Sequence, residues 1–180
     1  MTLFPTLTIF AGISGMSKRH FLKQLISKSR AGRKTLLIDF EKDLIADRGQ
    51  SSIPDIPTFL NSTNSALKFE RVRTNFTWIS RKIKNRDPRV AEIFLNMHLS
   101  YYKNSEFYPP FVPLFFNEML TLLPDSRIRI ITLIDDIFAT WKRIADREKS
   151  SGHTNTRLTL REILAWRSLE FLRANPSKST

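Results

Sequence analysis

A glycine-containing loop that ends in a lysine is the part of this sequence best suited to chemistry. Gly12 and Lys18 hold the spacing of the first glycine and the lysine in the phosphate-binding pattern G-x-x-x-x-G-K-[ST]. Small residues let backbone amides curl around an anion, the start of a helix adds a positive dipole, and a lysine reaches the terminal phosphates. We therefore predict a phosphate site. The residues predicted to form it are Gly12, Ile13, Ser14, Gly15, Met16, Ser17, Lys18, Arg19 and His20.

Two residues depart from this pattern. Ser17 replaces the second glycine and is expected to strain the turn, while Arg19 replaces the hydroxyl residue that normally contacts magnesium. An arginine cannot coordinate a cation, although it can neutralise phosphate charge through charge-assisted hydrogen bonds. The sequence therefore leaves Mg²⁺ doubtful as a cofactor. A plain strand-to-helix turn with an incidental lysine is the alternative interpretation.

The loop lies between a predicted strand and a predicted helix. Residues 7–11 are apolar or β-favouring, and apolar residues return at helical spacing over 21–26. A second apolar strand follows over 35–40 and carries a carboxylate, Asp39, near its end. A strand, a helix and a strand in this order form a βαβ unit, which predicts a parallel sheet.

The middle of the chain predicts a helix and a third strand. Residues 66–84 are apolar at helical spacing, and the other faces of this helix carry basic residues such as Arg73 that can reach an anionic ligand. The strand over 90–99 ends near His98, for which contact with a ligand and a structural hydrogen bond are both open interpretations. Residues 100–113 form an aromatic, proline-containing stretch that we predict to be a loop.

The last third predicts a short helix over 114–123, a strand over 127–135 and two further helices. Asp135 and Asp136 are placed to cap the helix over 136–148. The final helix opens with a capping box from Thr159 to Glu162. The residues predicted to be buried by these two helices are Ile137, Phe138, Trp141, Ile144, Ala145, Leu160, Ile163, Leu164, Phe171 and Leu172.

These elements predict one three-layer α/β domain over residues 1–180. We expect a mainly parallel central sheet of four or five strands, with ligand at the carboxyl ends of the strands. Residues 47–65 are rich in Gly, Pro, Ser, Asn and Asp and predict a surface excursion, and residues 175–180 predict a flexible tail.

Composition limits the partners and the chemistry. The chain has 29 Lys and Arg against 17 Asp and Glu, a formal charge of +12, so it attracts polyanions such as nucleotides, nucleic acid or an acidic protein. A merely basic solvated surface is the alternative. Zero cysteines exclude disulfides and thiol catalysis and favour a reducing, cytoplasmic setting. No apolar run approaches the roughly 20 residues that span a bilayer, so no membrane partner is expected.

Three stretches together resemble archaeal-type adenylate kinases and related nucleoside monophosphate kinases. Residues 12–18, GISGMSK, are similar to the glycine-rich loop of that family. Asn96-Met97-His98 stands at a strand end where the family has Asp-Thr-His, and residues 107–113, FYPPFVP, match its proline-containing loop. Lys142, Arg143 and Arg147 fall in the segment that corresponds to the arginine-rich lid.

The resemblance implies a P-loop fold that binds ATP or a related purine nucleotide. It implies that Gly12, Gly15 and Lys18 hold phosphates, and that Arg143 and Arg147 brace the transferred group from a lid-like segment over 142–161. Three residues are assigned to the substrate side, namely Asp39, Arg73 and His98.

Asn96 stands where the family has a carboxylate, so it joins Ser17 and Arg19 as a departure. Because magnesium bridges the β and γ oxygens in phosphoryl transfer, these changes should lower turnover more than binding. Three functions remain open. They are a nucleotide-binding protein with weak or lost phosphotransfer and a regulatory or assembly role, an active nucleoside monophosphate kinase, and a basic structural or nucleic-acid-associated subunit.

Overall fold

The computed structural model describes most of the predicted elements. The described residues are 5–13, 15–28, 34–40, 43, 76–103, 106–108, 118–121, 123, 127–150 and 158–174. The predicted excursion over 47–65, the tail over 175–180, Ser14 and Arg73 lie outside them, as does the start of the helix predicted over 66–84.

A parallel four-stranded sheet forms the centre of the fold. Within the described residues, six strands are found, namely β1 (Thr6–Ala11), β2 (Lys34–Asp39), β3 (Val90–Asn96), β4 (Tyr101–Lys103), β5 (Glu106–Tyr108) and β6 (Ile128–Thr132). The central sheet has the order β2-β3-β1-β6, and every neighbouring pair in it is parallel. The predicted α/β class and parallel sheet are therefore confirmed.

Helices cover both faces of this sheet. In the described part of the chain, the helical segments of four or more consecutive residues are α1 (Lys18–Ser27), α2 (residues 76–84), α3 (residues 118–121), α4 (Ile137–Ser150) and α5 (Leu160–Ala174). Leu22 of α1 packs with Phe10 and Phe94 on one face. Ile79 of α2 belongs to the core on the other face, with Leu7 and other strand residues. Successive strand residues point to opposite faces, so apolar residues at consecutive positions supply both cores, as in buried parallel strands.

The strand order places a crevice at the ends of β1 and β3. The chain leaves β1 through α1 towards β2, whereas it leaves β3 towards β6 on the far side of β1. Because parallel crossovers are right-handed, these two connections lie on opposite faces of the sheet. The loops after two neighbouring strands therefore diverge, and open α/β sheets bind ligands at such a point.

The prediction of a loop over 100–113 is wrong in part. Strands β4 and β5 form an antiparallel hairpin in which Tyr101 pairs with Tyr108 and Tyr102 pairs with Phe107. Tyrosine and phenylalanine favour strands, and this preference outweighed the prolines that follow. The strands predicted over 90–99 and 127–135 are also shorter, because they end at Asn96 and Thr132.

The burial predicted for the two last helices is also wrong in part. Ile144 and Ile163 are buried as predicted, but the side chains of Phe138 and Leu172 are 63% and 61% exposed. Trp141, Leu164 and Phe171 are exposed as well. Helix α5 instead turns Trp166 and Glu170 inward, because polar groups inside the fold bind both side chains. Among the described residues, no helix is both long and apolar enough to cross a bilayer.

The predicted caps of these helices are confirmed. Thr159 Oγ1 accepts a hydrogen bond from Glu162 N at 3.2 Å, while Glu162 Oε2 accepts one from Thr159 N at 2.6 Å. Asp136 Oδ1 accepts a bond from Ala139 N at 2.7 Å at the start of α4. Each side chain satisfies a backbone donor that the first helical turn leaves without a partner.

Candidate functional site

The loop between β1 and α1 has the tight backbone that a phosphate loop requires. Gly12 and Gly15 have φ angles of 141° and 83°, which side chains rarely permit. A Cβ atom at Gly12 would lie 2.9 Å from Leu133 O, and one at Gly15 would lie 3.0 Å from Ile144 Cγ1. Both glycines are therefore required by backbone angle and by close neighbours.

Ser17 also adopts the left-handed conformation, with φ 50° and ψ 28°. The phosphate-loop pattern has glycine at this position, and a side chain there costs about 1–2 kcal/mol. Ser17 is the N-cap of α1, yet its hydroxyl makes no capping hydrogen bond. The strain expected from the sequence is thus present, and local hydrogen bonding does not offset it.

The ammonium group of Lys18 closes the loop. Lys18 is only 8% exposed, and its Nζ donates to Gly12 O and, at 3.3 Å, to Ile13 O. The same atom lies 3.3 Å from Nδ1 and 3.5 Å from Nε2 of His98, so it can donate to the ring nitrogen that carries no proton. Lys18 therefore holds a positive charge between the loops that follow β1 and β3.

Glu170 is a site residue that the sequence analysis missed. Its carboxylate is fully buried and accepts hydrogen bonds from Gly12 N at 3.3 Å, Leu99 N at 3.0 Å and Ser100 N at 2.7 Å. Ser100 Oγ donates a fourth bond at 3.0 Å. Burial raises the pKa of Glu170, although its backbone hydrogen bonds and the charge of Lys18 act in the opposite direction.

The spacing of α5 contains a signal for this residue. Ile163, Trp166, Glu170 and Ala174 share one face at helical spacing, and a carboxylate on an otherwise apolar face must find buried donors. Trp166 Nε1 donates to Ser100 O at 3.0 Å, and its ring centroid lies 5.7 Å from that of His98. The inner face of α5 therefore contacts the loop after β3 through polar and aromatic groups.

Apolar side chains pack between the phosphate loop and the last two helices. This cluster consists of Ile13, Met16, Ile144, Ile163 and Trp166. Its members come from the loop, from α4 and from α5, so both helices fix the outer side of the loop. Such packing limits the motion of the loop without supplying charge.

A second polar group lies at the ends of β2 and β3, where Asp39 and Asn96 are register partners. Arg19 Nε lies 3.2 Å from Asp39 Oδ2, and Asn96 Nδ2 donates to Asp39 Oδ1 at 3.3 Å. These residues do not fit a magnesium site, because a guanidinium pairs with the carboxylate that would have to supply oxygen ligands. Across the part of the chain that is described, no three His, Cys, Asp or Glu residues are placed to hold a metal.

The structure brings together only some of the predicted site residues. Gly12, Ile13, Lys18 and His98 form one cluster, and Arg19 joins Asp39 in the second. His20 is exposed, and its Nε2 atom lies 3.0 Å from Nε2 of Gln24.

Arg143 pairs instead with Asp135, and it donates to Thr140 Oγ1 at 3.2 Å. Thr140 O lies beside Gly15, so α4 carries Arg143 close to the loop although the side chain is turned to Asp135. The side chain of Arg147 and the residues 151–157 of the predicted lid lie outside the described part.

Replacing Ser17 with glycine should remove backbone strain. We expect S17G to raise the free energy of unfolding by up to about 1 kcal/mol, because relief of the left-handed serine exceeds the added entropy of the unfolded chain. Urea denaturation measures the difference. The matched control is S168G, at an exposed position of α5. This change should lower the free energy of unfolding by about 0.5 kcal/mol. Equal destabilisation by the two changes would contradict the account of Ser17.

Comparisons with solved structures show similarity of fold. A chain of the Pnkp1/Rnl/Hen1 RNA repair complex matches with a TM-score of 0.50 and 13% identity, covering 99% of this chain and 46% of that one. Another structure of the Pnkp1/Rnl/Hen1 complex matches with a TM-score of 0.43 and 13% identity, covering 79% and 40%. A gluconokinase from Sinorhizobium meliloti 1021 gives 0.44 and 10% identity, covering 93% and 75%.

This chain thus spans less than half the length of the first two matching chains. No protein-family model and no curated protein matches the sequence. At these identities the similarity concerns the fold alone. The four-stranded parallel sheet, its covering helices and the loop before α1 make up an α/β fold, which this chain shares with the matching chain of the RNA repair complex.

Proposed function

We propose that this protein binds the phosphate chain of ATP or another purine nucleotide, with weak or lost phosphotransfer and a regulatory or assembly role. The observation that carries the proposal is the position of Lys18. Its ammonium bonds the carbonyls of Gly12 and Ile13 at the start of α1, where the crevice of the sheet opens. Backbone N–H groups and the dipole at a helix start favour an anion at the same place.

The finer assignment to an adenylate kinase type stays a hypothesis. Under it, Arg143 leaves Asp135 and, with Arg147, braces the terminal phosphate from the lid-like segment. His98, Asp39 and Arg73 would face the acceptor. The packing of α4 against Gly15 supports such a role for Arg143, since it brings the start of that helix to the loop.

Weak transfer follows from the second polar group. Phosphoryl transfer depends on positioning and on neutralising the charge that develops on the phosphates, a task that magnesium performs in most such enzymes. Here Arg19 occupies the position of the magnesium-binding hydroxyl in the sequence pattern, and Asp39 forms an ion pair with Arg19 and accepts a hydrogen bond from Asn96. A guanidinium can hold phosphate charge, but it cannot polarise the phosphates as a divalent cation does. Binding without magnesium is the expected result.

Nucleotide binding should survive removal of divalent cations. We expect isothermal titration to show ATP binding in EDTA, because Lys18 and Arg19 carry the required charge. The K18A variant should weaken the affinity by about tenfold or more, the usual loss for a hydrogen bond to a charged group. K23A is the matched control, since Lys23 is an exposed lysine of the same helix. If purine nucleotides at millimolar concentration produce no heat in the unaltered protein, the proposal fails.

Restoring the magnesium ligands should restore metal dependence. In the double variant R19T/N96D a hydroxyl replaces the guanidinium and a second carboxylate lies beside Asp39. We expect ATP binding by this variant to become stronger with Mg²⁺, and phosphate transfer in a coupled assay across nucleoside monophosphates to rise above that of the parent. The single variants are the controls. If Mg²⁺ changes neither the ATP affinity nor the turnover of the double variant, the residues at positions 19 and 96 are not what limits phosphate transfer.

A nucleic-acid-associated role is the second candidate. It is favoured by the charge of +12 and by the similarity in fold to a chain of an RNA repair complex. Under this candidate, the affinity for single-stranded RNA should fall roughly 300-fold between 50 and 200 mM salt if about six phosphates are contacted. Fluorescence anisotropy with a labelled oligonucleotide measures the slope. An affinity that is flat over this range removes the candidate, and K18A should leave the slope nearly unchanged.

A further inference from the structure

Glu170 connects three parts of the fold that meet at the phosphate loop. Its carboxylate binds Gly12 N, and Gly12 O in turn accepts a hydrogen bond from Lys18. Lys18 contacts His98, which precedes two further residues whose N–H groups donate to Glu170. The contacts thus form a closed ring, which we call the Glu170 ring, made of Glu170, Gly12, Lys18, His98, Leu99 and Ser100.

The ring fixes the most permissive position of the loop. Glycine has no preferred sign of φ, so the peptide groups on either side of Gly12 need external bonds to hold their directions. Glu170 binds the N–H on one side of the Gly12 Cα atom, and Lys18 binds the carbonyl on the other. Loss of the first bond frees the rotation that aims this carbonyl at Lys18.

We propose that Glu170 is a positioning residue of the phosphate site, through which α5 holds Gly12 and thereby Lys18 in the geometry that receives phosphate. The inference rests on the proposed function. Glu170 is fully buried, and its two oxygens already accept four hydrogen bonds. It therefore acts through Gly12 and Lys18 and does not touch the nucleotide.

Charge and position predict opposite effects of removing this carboxylate. The charge of Lys18 lowers the pKa of Glu170, and His98 contacts Lys18 in turn. If the carboxylate acted only through its negative charge, its removal would make the electrostatic potential around Lys18 more positive. Anion binding would then become stronger. If it positions the loop, removal weakens anion binding. The sign of the change separates the two roles.

The test compares E170A and E170Q with the unaltered protein. We expect titration with ATP and with inorganic tripolyphosphate, both in EDTA, to show about tenfold weaker binding by E170A. E118A is the control, because it also removes one acidic group and Glu118 lies outside the Glu170 ring. The affinity of E118A should stay within about twofold of the parent. Equal or tighter binding by both Glu170 variants overturns the proposal.

Amide hydrogen exchange followed by NMR provides a readout without ligand. In E170A the amides of Gly12, Leu99 and Ser100 should exchange at least about tenfold faster, while those of Ile9 and Leu95 inside the sheet keep their rates. Unchanged exchange at all three amides overturns the proposal. If the unaltered protein binds no phosphate, the proposed function fails separately, and these rates still decide whether Glu170 fixes the loop.

E170Q keeps the test decisive if E170A does not fold. A glutamine side chain has one acceptor oxygen in place of two, and the shortest bond of the carboxylate is the one from Ser100 N. We therefore expect the single amide oxygen of the E170Q side chain to stay with Ser100, so that Gly12 and Leu99 exchange faster while Ser100 remains protected. Weaker phosphate binding together with this selective pattern supports positioning, and parental rates at Gly12 contradict it.

Discussion

The site depends on one buried cation, the ammonium group of Lys18. A charge that is withdrawn from water must be compensated by hydrogen bonds and by opposite charge. Carbonyls of the loop and the ring of His98 accept hydrogen bonds from this ammonium group. The buried carboxylate of Glu170 is connected to it through Gly12, which contacts both side chains. Helix α1 carries the lysine, and the compensating groups come from the loops after β1 and β3 and from α5.

The departures from the phosphate-loop pattern form a consistent set. Ser17 retains the left-handed turn despite its cost, which is how local strain persists when the surrounding structure over-determines it. Arg19 brings a permanent positive charge to the position of a metal ligand. Asp39 forms an ion pair with Arg19, and the amide of Asn96 donates a hydrogen bond to Asp39. Positive charge is thus supplied by side chains, which under the proposed function favours binding of an anion over transfer of phosphate.

The elements that follow local rules could be predicted from the sequence. The strand, loop and helix around Gly12 and Lys18, the parallel sheet and the capping box at Thr159 depend on residues close together in the chain. Glu170 could not be assigned, because its donors lie about 70 to 160 residues earlier. Likewise, apolar periodicity predicted that Phe171 and Leu172 are buried. The face of α5 that carries Trp166 is buried in their place, because it packs against the phosphate loop and α4.

A crystal structure with a non-hydrolysable ATP analogue, grown in EDTA, tests the central claim most directly. We predict that a terminal phosphate oxygen lies within about 3 Å of Lys18 Nζ, at hydrogen-bond distance, while Gly12 N still donates to Glu170. We also expect the guanidinium of Arg19 to contact the phosphate chain. An analogue bound elsewhere on the surface, or a loop that stays unchanged and empty at saturating analogue, would contradict the account.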